Sequence, residues 1–133
     1  MDNTGQKVLL IDDDPTFIDI SVRAFKEYGI DYATAFNGIE AIEKAKSEKP
    51  ALILLDIMMP GIDGFAVLNK LKRDSNTAKI TVWMLTNLPG EMNKERAASL
   101  GAQEYLVKSE NPPVKFCEKV RTFLNSVWEQ TAD

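Results

Sequence analysis

The 133-residue sequence contains no histidine and only one cysteine, Cys117. Without histidine the chain lacks the commonest general base and metal ligand of proteins, and this excludes Ser-His-Asp and Cys-His catalytic arrangements. A single cysteine cannot form a disulfide within the chain, which fits a reducing compartment. Any chemistry must therefore rest on carboxylates, hydroxyls, lysine or a bound ion.

The sequence also lacks a long apolar run and a strongly basic stretch. Its most apolar segment, residues 51–55, ends at Asp56 and is far too short to span a bilayer. The first six residues show no secretory signal. Sixteen Lys and Arg residues against twenty Asp and Glu give a net charge of −4, without the basic stripe that nucleic-acid-binding proteins usually show. We therefore expect a cytoplasmic domain that binds neither membrane nor nucleic acid directly.

Length and hydrophobic pattern predict a single α/β domain. Because domains typically have roughly 100–200 residues, we assign residues 1–133 to one domain with a core over about residues 7–128. Apolar runs predict five strands, at residues 7–11, 31–36, 51–55, 80–85 and 105–107. Helical spacing between and after them predicts five helices, at about residues 15–28, 38–48, 65–71, 91–100 and 113–127. Strict alternation of strand and helix predicts a doubly wound, five-stranded parallel sheet with helices on both faces.

Polar side chains follow four of the five predicted strands. Asp12 and Asp13 follow the first strand, Asp56 the third, Thr86 the fourth and Lys108 the fifth. Ligands of doubly wound sheets bind outside the carboxyl ends of the strands, so we expect these groups to converge. Closely packed carboxylates repel, and either the pKa of one of them rises or the group recruits a cation. Hard oxygen ligands suit Mg²⁺, whose coordination is usually completed by phosphate oxygens. A carboxylate in such a site can attack phosphorus and form an aspartyl phosphate, while a lysine and a hydroxyl stabilise the transferred group.

Four segments, in this order, resemble the receiver domain of two-component response regulators, the CheY-like family. They are residues 8–15 (VLLIDDDP), 54–64 (LLDIMMPGIDG), 84–86 (MLT) and 101–108 (GAQEYLVK). The resemblance covers nearly the whole chain. It implies the flavodoxin-like strand order 2-1-3-4-5, and a signalling module that catalyses only its own phosphorylation and dephosphorylation.

The resemblance also implies roles for individual residues. Asp56 is the implied phosphoacceptor, Lys108 the lysine that contacts the phosphoryl group, and Thr86 and Tyr105 the switch residues. The implied Mg²⁺ ligands are Asp12, Asp13, Asp56 and the backbone carbonyl of Met58. The implied phosphoryl donor is a sensor histidine kinase or a histidine phosphotransfer protein. The implied output is a downstream protein that binds the face formed by the fourth helix, fifth strand and fifth helix.

The residue after Lys108 departs from the family pattern. Receiver domains usually have a proline there, often after a cis peptide bond, whereas this chain has Ser109. A cis bond before a residue other than proline costs about 2.5–4 kcal/mol. We therefore expect a trans bond and a locally different loop.

Two other interpretations remain open at this point. The segment DDDPT also satisfies the DxDxT pattern of haloacid-dehalogenase-like phosphatases, in which Asp12 is the nucleophile and Asp14 the general acid. Those enzymes usually have a downstream acidic pair, where this sequence has Thr86-Asn87. The second is an interaction module that is never phosphorylated. A module that is never phosphorylated has no physical need to keep the mutually repelling carboxylates of Asp12, Asp13 and Asp56 together.

Overall fold

The computed structural model describes residues 6–131, with side chains described as far as residue 127. Five strands form one parallel sheet: β1 (Val8–Ile11), β2 (Tyr32–Ala35), β3 (Leu52–Leu55), β4 (Thr81–Thr86) and β5 (Glu104–Val107). Five helices alternate with them: α1 (Pro15–Glu27), α2 (Gly38–Glu48), α3 (Gly64–Arg73), α4 (Glu91–Ser99) and α5 (Pro113–Thr131). The strand order is β2-β1-β3-β4-β5, which confirms the predicted topology. None of the helices in residues 6–131 has the length and apolar character needed to cross a membrane.

The sheet is the middle layer of three, with a hydrophobic core on each face. All residues of β1 and β3 are buried because these central strands are covered on both sides. One core packs the sheet against α2, α3 and α4, with Phe65 and Leu68 among its large side chains. The other packs the sheet against α1 and α5 and includes Phe25 and Phe116. The two cores fix the positions of the strands, and so of their carboxyl ends.

Short polar side chains start the first three helices immediately beyond that edge of the sheet. Asp14 accepts a hydrogen bond from the Thr16 amide (3.0 Å) and caps α1. Asn37 and Asp63 cap α2 and α3 in the same way. A side-chain acceptor at this position satisfies an amide that has no partner within the helix. These caps fix where each loop leaves the sheet.

The strand register aligns the polar residues that follow the strands. Ile11 of β1 lies opposite Leu55 of β3, and the next amide, that of Asp56, donates to the Ile11 carbonyl (3.0 Å). Thr86 of β4 lies opposite Val107 of β5. Asp12, Asp56 and Lys108 therefore leave the sheet at the same edge, as the sequence predicts.

The segment after β5 forms a 3-10 turn over Lys108–Glu110. The peptide bond between Lys108 and Ser109 is trans, which confirms the expectation from the missing proline. The Asn111 side-chain amide donates to the Val107 carbonyl (3.0 Å) and closes the turn. A tight turn here directs the Lys108 side chain back over the sheet edge.

Gly64, the first residue of α3, lies against the backbone that follows β3. A Cβ at this position would lie 2.2 Å from the Asp56 carbonyl oxygen and 2.6 Å from the Ile57 Cα atom. Both neighbours are backbone atoms, which cannot rotate away as a side chain can. Only glycine lets α3 begin this close to Asp56.

We predict that Gly64→Ala lowers the free energy of unfolding by about 1–3 kcal/mol, because the added methyl forces the backbone at Asp56 to shift. Urea denaturation measures the loss, and the amide chemical shift of Asp56 reports the displacement. Gly61→Asn is the matched control, since Gly61 has no atom within 4 Å of its Cβ position and asparagine tolerates its positive φ. Equal effects of the two substitutions would contradict the steric explanation.

Ser21 lies on the buried face of α1 and has an unpaired hydroxyl. Its side chain is fully buried, and its Oγ finds no hydrogen-bond partner among the residues that the structure describes. A buried polar group without a partner costs about 1–3 kcal/mol.

We predict that Ser21→Ala raises the free energy of unfolding by about 0.5–1.5 kcal/mol, because alanine removes the unpaired hydroxyl and favours the helix. Urea denaturation measures the change. Ser99→Ala is the control, since the Ser99 hydroxyl is exposed and donates to the Arg96 carbonyl (2.9 Å). If Ser21→Ala destabilises the protein, the hydroxyl has a partner after all.

Candidate functional site

Three carboxylates gather where β1 and β3 end. Asp12 and Asp56 are buried, with 1% and 5% of their surfaces exposed, whereas Asp13 is exposed. One carboxylate oxygen from each of the three lies within 4.8 Å of the others. Like charges this close repel strongly in a poorly solvated site and favour binding of a cation.

The Lys108 side chain supplies one positive charge to this cluster. Its Nζ lies 2.6 Å from Oδ2 of Asp12 and 3.3 Å from Oδ2 of Asp56, and only 11% of the side chain is exposed. One ammonium against three carboxylates leaves two net negative charges at the site. A divalent cation with a preference for oxygen ligands fits this deficit in charge and in chemistry.

Backbone amides orient the two buried carboxylates. Oδ1 of Asp12 accepts from the Asp14 amide (2.9 Å), and Oδ1 of Asp56 accepts from the Met58 amide (3.3 Å). In each carboxylate, the other oxygen faces Lys108. The two side chains are thus held by the loops that follow their own strands, with one oxygen fixed and one turned toward the ammonium.

Burial raises the pKa of the Asp12 carboxyl above its usual value. The hydrogen bonds from Lys108 and from the Asp14 amide oppose this shift, and the negative charge of Asp56 adds to it. The contacts with Lys108 and the Asp14 amide therefore do not fully offset the cost of burying the negative charge of Asp12. A second cation at the cluster would relieve it.

Thr86 and Tyr105 meet at Leu88, beside the acidic cluster and not within it. The buried Thr86 hydroxyl accepts a hydrogen bond from the Leu88 amide (3.2 Å). The Tyr105 hydroxyl donates to the carbonyl of the same residue. Burial raises the pKa of the Tyr105 hydroxyl, and the Asp56 charge raises it further. The Tyr105 ring therefore lies within electrostatic reach of the cluster, and Leu88 is tied to both predicted switch residues.

The structure therefore brings together most of the residues that the sequence singles out. Asp12, Asp13, Asp56 and Lys108 form one cluster. Met58 joins it through its backbone amide, while the residue as a whole is 58% exposed. The role of the Met58 carbonyl as a metal ligand stays a prediction.

The sequence analysis missed Phe17, an aromatic residue in the first turn of α1. Its ring centroid lies 4.1 Å from the Lys108 Nζ atom. The signal was weak, because Phe17 stands beside the apolar stripe of α1 and not within it. Phe17 could have been found from its place in the chain, because α1 begins soon after Asp12 and Asp13 and its first turn must lie near them.

Asp14 does not behave as the general acid of the phosphatase interpretation. Its carboxylate is exposed and accepts the Thr16 amide as the cap of α1. The residues that surround Asp12 in space are Asp56 and Lys108, which follow strands far along the chain.

Comparison with known proteins identifies one family. Residues 8–121 match the profile described as "Response regulator receiver domain". The chain is 40% identical over 102 residues to the "DNA-binding dual master transcriptional regulator RpaA" of Synechocystis, covering 77% of this chain and 42% of that protein. It is 33% identical over 102 residues to "Protein PilH" of Pseudomonas aeruginosa, covering 77% of this chain and 84% of PilH. The phosphatase interpretation is not favoured by these matches.

The solved structures show the same fold. The BeF3-activated N-terminal receiver domain of RstA from Klebsiella pneumoniae superposes with a TM-score of 0.80 at 29% identity, covering 90% of this chain and 98% of that chain. A CheY-like receiver domain from Methanospirillum hungatei has a TM-score of 0.83 at 23% identity, covering 94% of this chain and 98% of that chain. With the sheet order, the acidic cluster and the profile match in agreement, the chain belongs to the response regulator receiver domain family of two-component signalling modules.

Proposed function

We propose that Asp56 accepts a phosphoryl group from a phosphohistidine of a sensor histidine kinase or a histidine phosphotransfer protein. The observation that carries this proposal is the Lys108 ammonium, which lies between the buried Asp12 and Asp56 carboxylates in the acidic cluster. Because residues 1–133 contain no histidine, the phosphohistidine must come from outside this domain.

Asp56 is suited to act as the nucleophile. One of its oxygens is held by the Met58 amide and the other faces Lys108. In the transfer, a carboxylate oxygen forms a bond to phosphorus while the bond between phosphorus and the donor imidazole nitrogen breaks, and the imidazole leaves. A fixed carboxylate lowers the entropic cost of reaching that geometry.

The residues at the site fit a resident Mg²⁺ ion. Asp12, Asp13, Asp56 and the backbone carbonyl of Met58 would hold it, since the first three offer oxygens within 4.8 Å of one another. When bound, Mg²⁺ neutralises the carboxylates and the phosphoryl oxygens, so that an anionic donor can approach. Burial raises the pKa of Asp12, and a bound cation would favour its ionised form.

Lys108 and Thr86 would stabilise the transferred group. The Lys108 ammonium can exchange its contacts with Asp12 and Asp56 for a phosphoryl oxygen, because all these groups lie in one cluster. The Thr86 hydroxyl can donate to another phosphoryl oxygen while it ceases to accept from Leu88. Lys108 and Thr86 would both be drawn to the phosphoryl group because phosphorylation adds negative charge at Asp56.

Leu88 offers a route from the site to the protein surface. Its amide is bound by Thr86 and its carbonyl by Tyr105, and α4 begins a few residues later at Glu91. Movement of Thr86 toward a phosphoryl group would break the hydrogen bond from the Leu88 amide to the Thr86 hydroxyl. Leu88, whose carbonyl accepts from Tyr105, would then be free to shift. A coupling of about 1–3 kcal/mol is typical of such switches. The output surface would be the face of α4, β5 and α5, which binds a downstream protein.

Localisation and chain context are also part of the proposal. The single cysteine, Cys117, is buried and free, and burial raises the pKa of its thiol to about 12. A single free cysteine fits the reducing environment of the cytoplasm, and we propose a cytoplasmic protein in which residues 7–128 work as one domain. The match spans 42% of RpaA, a DNA-binding transcriptional regulator. We assign no direct contact with nucleic acid to the receiver domain.

We predict that Asp56→Asn abolishes labelling by acetyl phosphate or by a partner kinase, because the amide cannot form the acyl phosphate. Intact-protein mass spectrometry with Mg²⁺ present measures the phosphoryl adduct. Asp14→Asn is the matched control and is expected to label normally, since Asp14 caps α1.

The same experiment separates the alternatives. Full labelling of Asp56→Asn would contradict the proposal. Turnover of a generic phosphate ester that is abolished by Asp12→Asn but retained in Asp56→Asn would favour the phosphatase. If the unaltered protein takes up neither phosphoryl nor beryllofluoride, the non-phosphorylated interaction module is correct.

We predict that Mg²⁺ stabilises the protein more strongly as the pH rises. Because burial raises the pKa of Asp12, the folded protein keeps this proton to a higher pH than the unfolded chain does. Without metal, Asp12 therefore contributes stability at low pH that is lost as the pH rises through the raised pKa. Ionised Asp12 binds metal and protonated Asp12 does not. Stabilisation reaches about 2.7 kcal/mol at a metal concentration one hundred times Kd.

Urea denaturation with and without Mg²⁺, between about pH 4 and pH 7, measures this linkage. Asp12→Asn is expected to weaken Mg²⁺ binding and to flatten its pH dependence. Identical pH profiles for the two proteins would show that Asp12 is not a ligand.

A further inference from the structure

The environment of the Lys108 ammonium includes a third partner besides the two carboxylates. The face of the Phe17 ring lies 4.1 Å from Nζ, measured to the ring centroid. The lysine side chain is only 11% exposed, so little of its charge is compensated by water. An aromatic face carries negative potential and attracts a desolvated cation.

The ring differs from the carboxylates in what it can do when the charge at the site changes. Asp12 and Asp56 hold the ammonium at 2.6 and 3.3 Å, but both would bind a metal ion, and Asp56 would be consumed as the phosphoacceptor. Phe17 has no charge to be neutralised and no polar atom to compete for a phosphoryl oxygen. Its attraction for the ammonium therefore persists through the reaction.

The Phe17 ring is itself held in place. It lies in the first turn of α1, three residues after the Asp14 cap. Its centroid is 6.1 Å from that of Phe116, a fully buried residue of α5. Phe116 in turn packs edge-on against Phe25, farther along α1. Packing of the Phe17 ring against α5 therefore restricts where the ring face can lie relative to the Lys108 ammonium.

We propose that Phe17 is a positioning residue, which keeps the Lys108 ammonium aimed at the phosphoacceptor oxygens after the carboxylates have released it. This inference rests on the proposed phosphorylation of Asp56. An uncharged residue of α1, Phe17, would thus contribute to the affinity of the site for a phosphoryl group.

The test compares Phe17→Leu, which removes the ring face, with Phe17→Tyr, which keeps it. Phe25→Leu is the matched control, because Phe25 packs against the same Phe116 ring but does not touch Lys108. The first measurement is the chemical shift of the Lys108 Cε protons, which the ring current of Phe17 moves upfield. The second is the beryllofluoride concentration that half-saturates the protein in Mg²⁺, followed by tryptophan fluorescence. Urea denaturation confirms that each variant is folded.

We expect Phe17→Leu to abolish the upfield shift and to raise the half-saturating concentration by about three- to thirtyfold, the range of a partly to fully desolvated cation–π contact. Phe17→Tyr and Phe25→Leu are expected to stay within about twofold of the unaltered protein. Loss of the upfield shift without weaker binding would overturn the proposal. Equal weakening by Phe25→Leu would also overturn it, because general packing of α1 on α5 would then be the cause.

Asp56→Asn distinguishes failure of this inference from failure of the proposed function. If that variant still binds beryllofluoride, Asp56 is not the acceptor and both proposals fall. If Asp56→Asn abolishes binding while Phe17→Leu leaves it unchanged, only the role of Phe17 is wrong. The proton shift needs no phosphoryl analogue, so the contact between ring and ammonium is measured independently in either case.

Discussion

Two carboxylates are buried side by side at the ends of β1 and β3, and the rest of the site is organised around their repulsion. The parallel register places Asp12 and Asp56 on adjacent strands, and the helices on both faces of the sheet exclude most of the water that would screen them. Lys108 compensates part of this charge, and backbone amides compensate another part. The remaining deficit suits a divalent cation. Under the proposed function, that cation would let the same pocket accept an anionic phosphoryl group.

The positions of the charged groups were predictable because they follow from backbone topology alone. Parallel strands end at a common edge, so any polar residue that closes an apolar run must lie there. Asp12, Asp56 and Lys108 each follow such a run, and all three meet in the structure. Every strand also lies within one residue of its predicted bounds, whereas the fifth helix continues past residue 127 to Thr131. Helix ends are decided by local capping and packing, which a hydrophobic stripe does not encode.

Other features of the site could not be predicted because they depend on how side chains and helices approach one another. The Phe17 ring lies under Lys108 only because α1 and α5 pack closely enough to brace it against Phe116. Gly64 is required because α3 starts against the Asp56 carbonyl, a distance that no spacing of residues reveals. The two hydrogen bonds of the Leu88 backbone, from its amide to Thr86 and from Tyr105 to its carbonyl, have no signal in the sequence. These are contacts in three dimensions between segments whose sequence signals are individually weak.

The unequal anchoring of the helices explains why α4 is the element best suited to respond to the site. Among the first four helices, α4 buries the fewest side chains, with only Ala97 buried. It is held to α3 partly through the Arg96 guanidinium, 4.1 Å from the centroid of the Phe65 ring. A cation–π contact at an exposed position is worth about 0.5–1 kcal/mol, which is no larger than the coupling that a switch of this kind transmits. Under the proposed function, breaking one hydrogen bond at Leu88 would be enough to shift the position of α4, while the central strands, buried on both faces, would keep the acidic cluster intact.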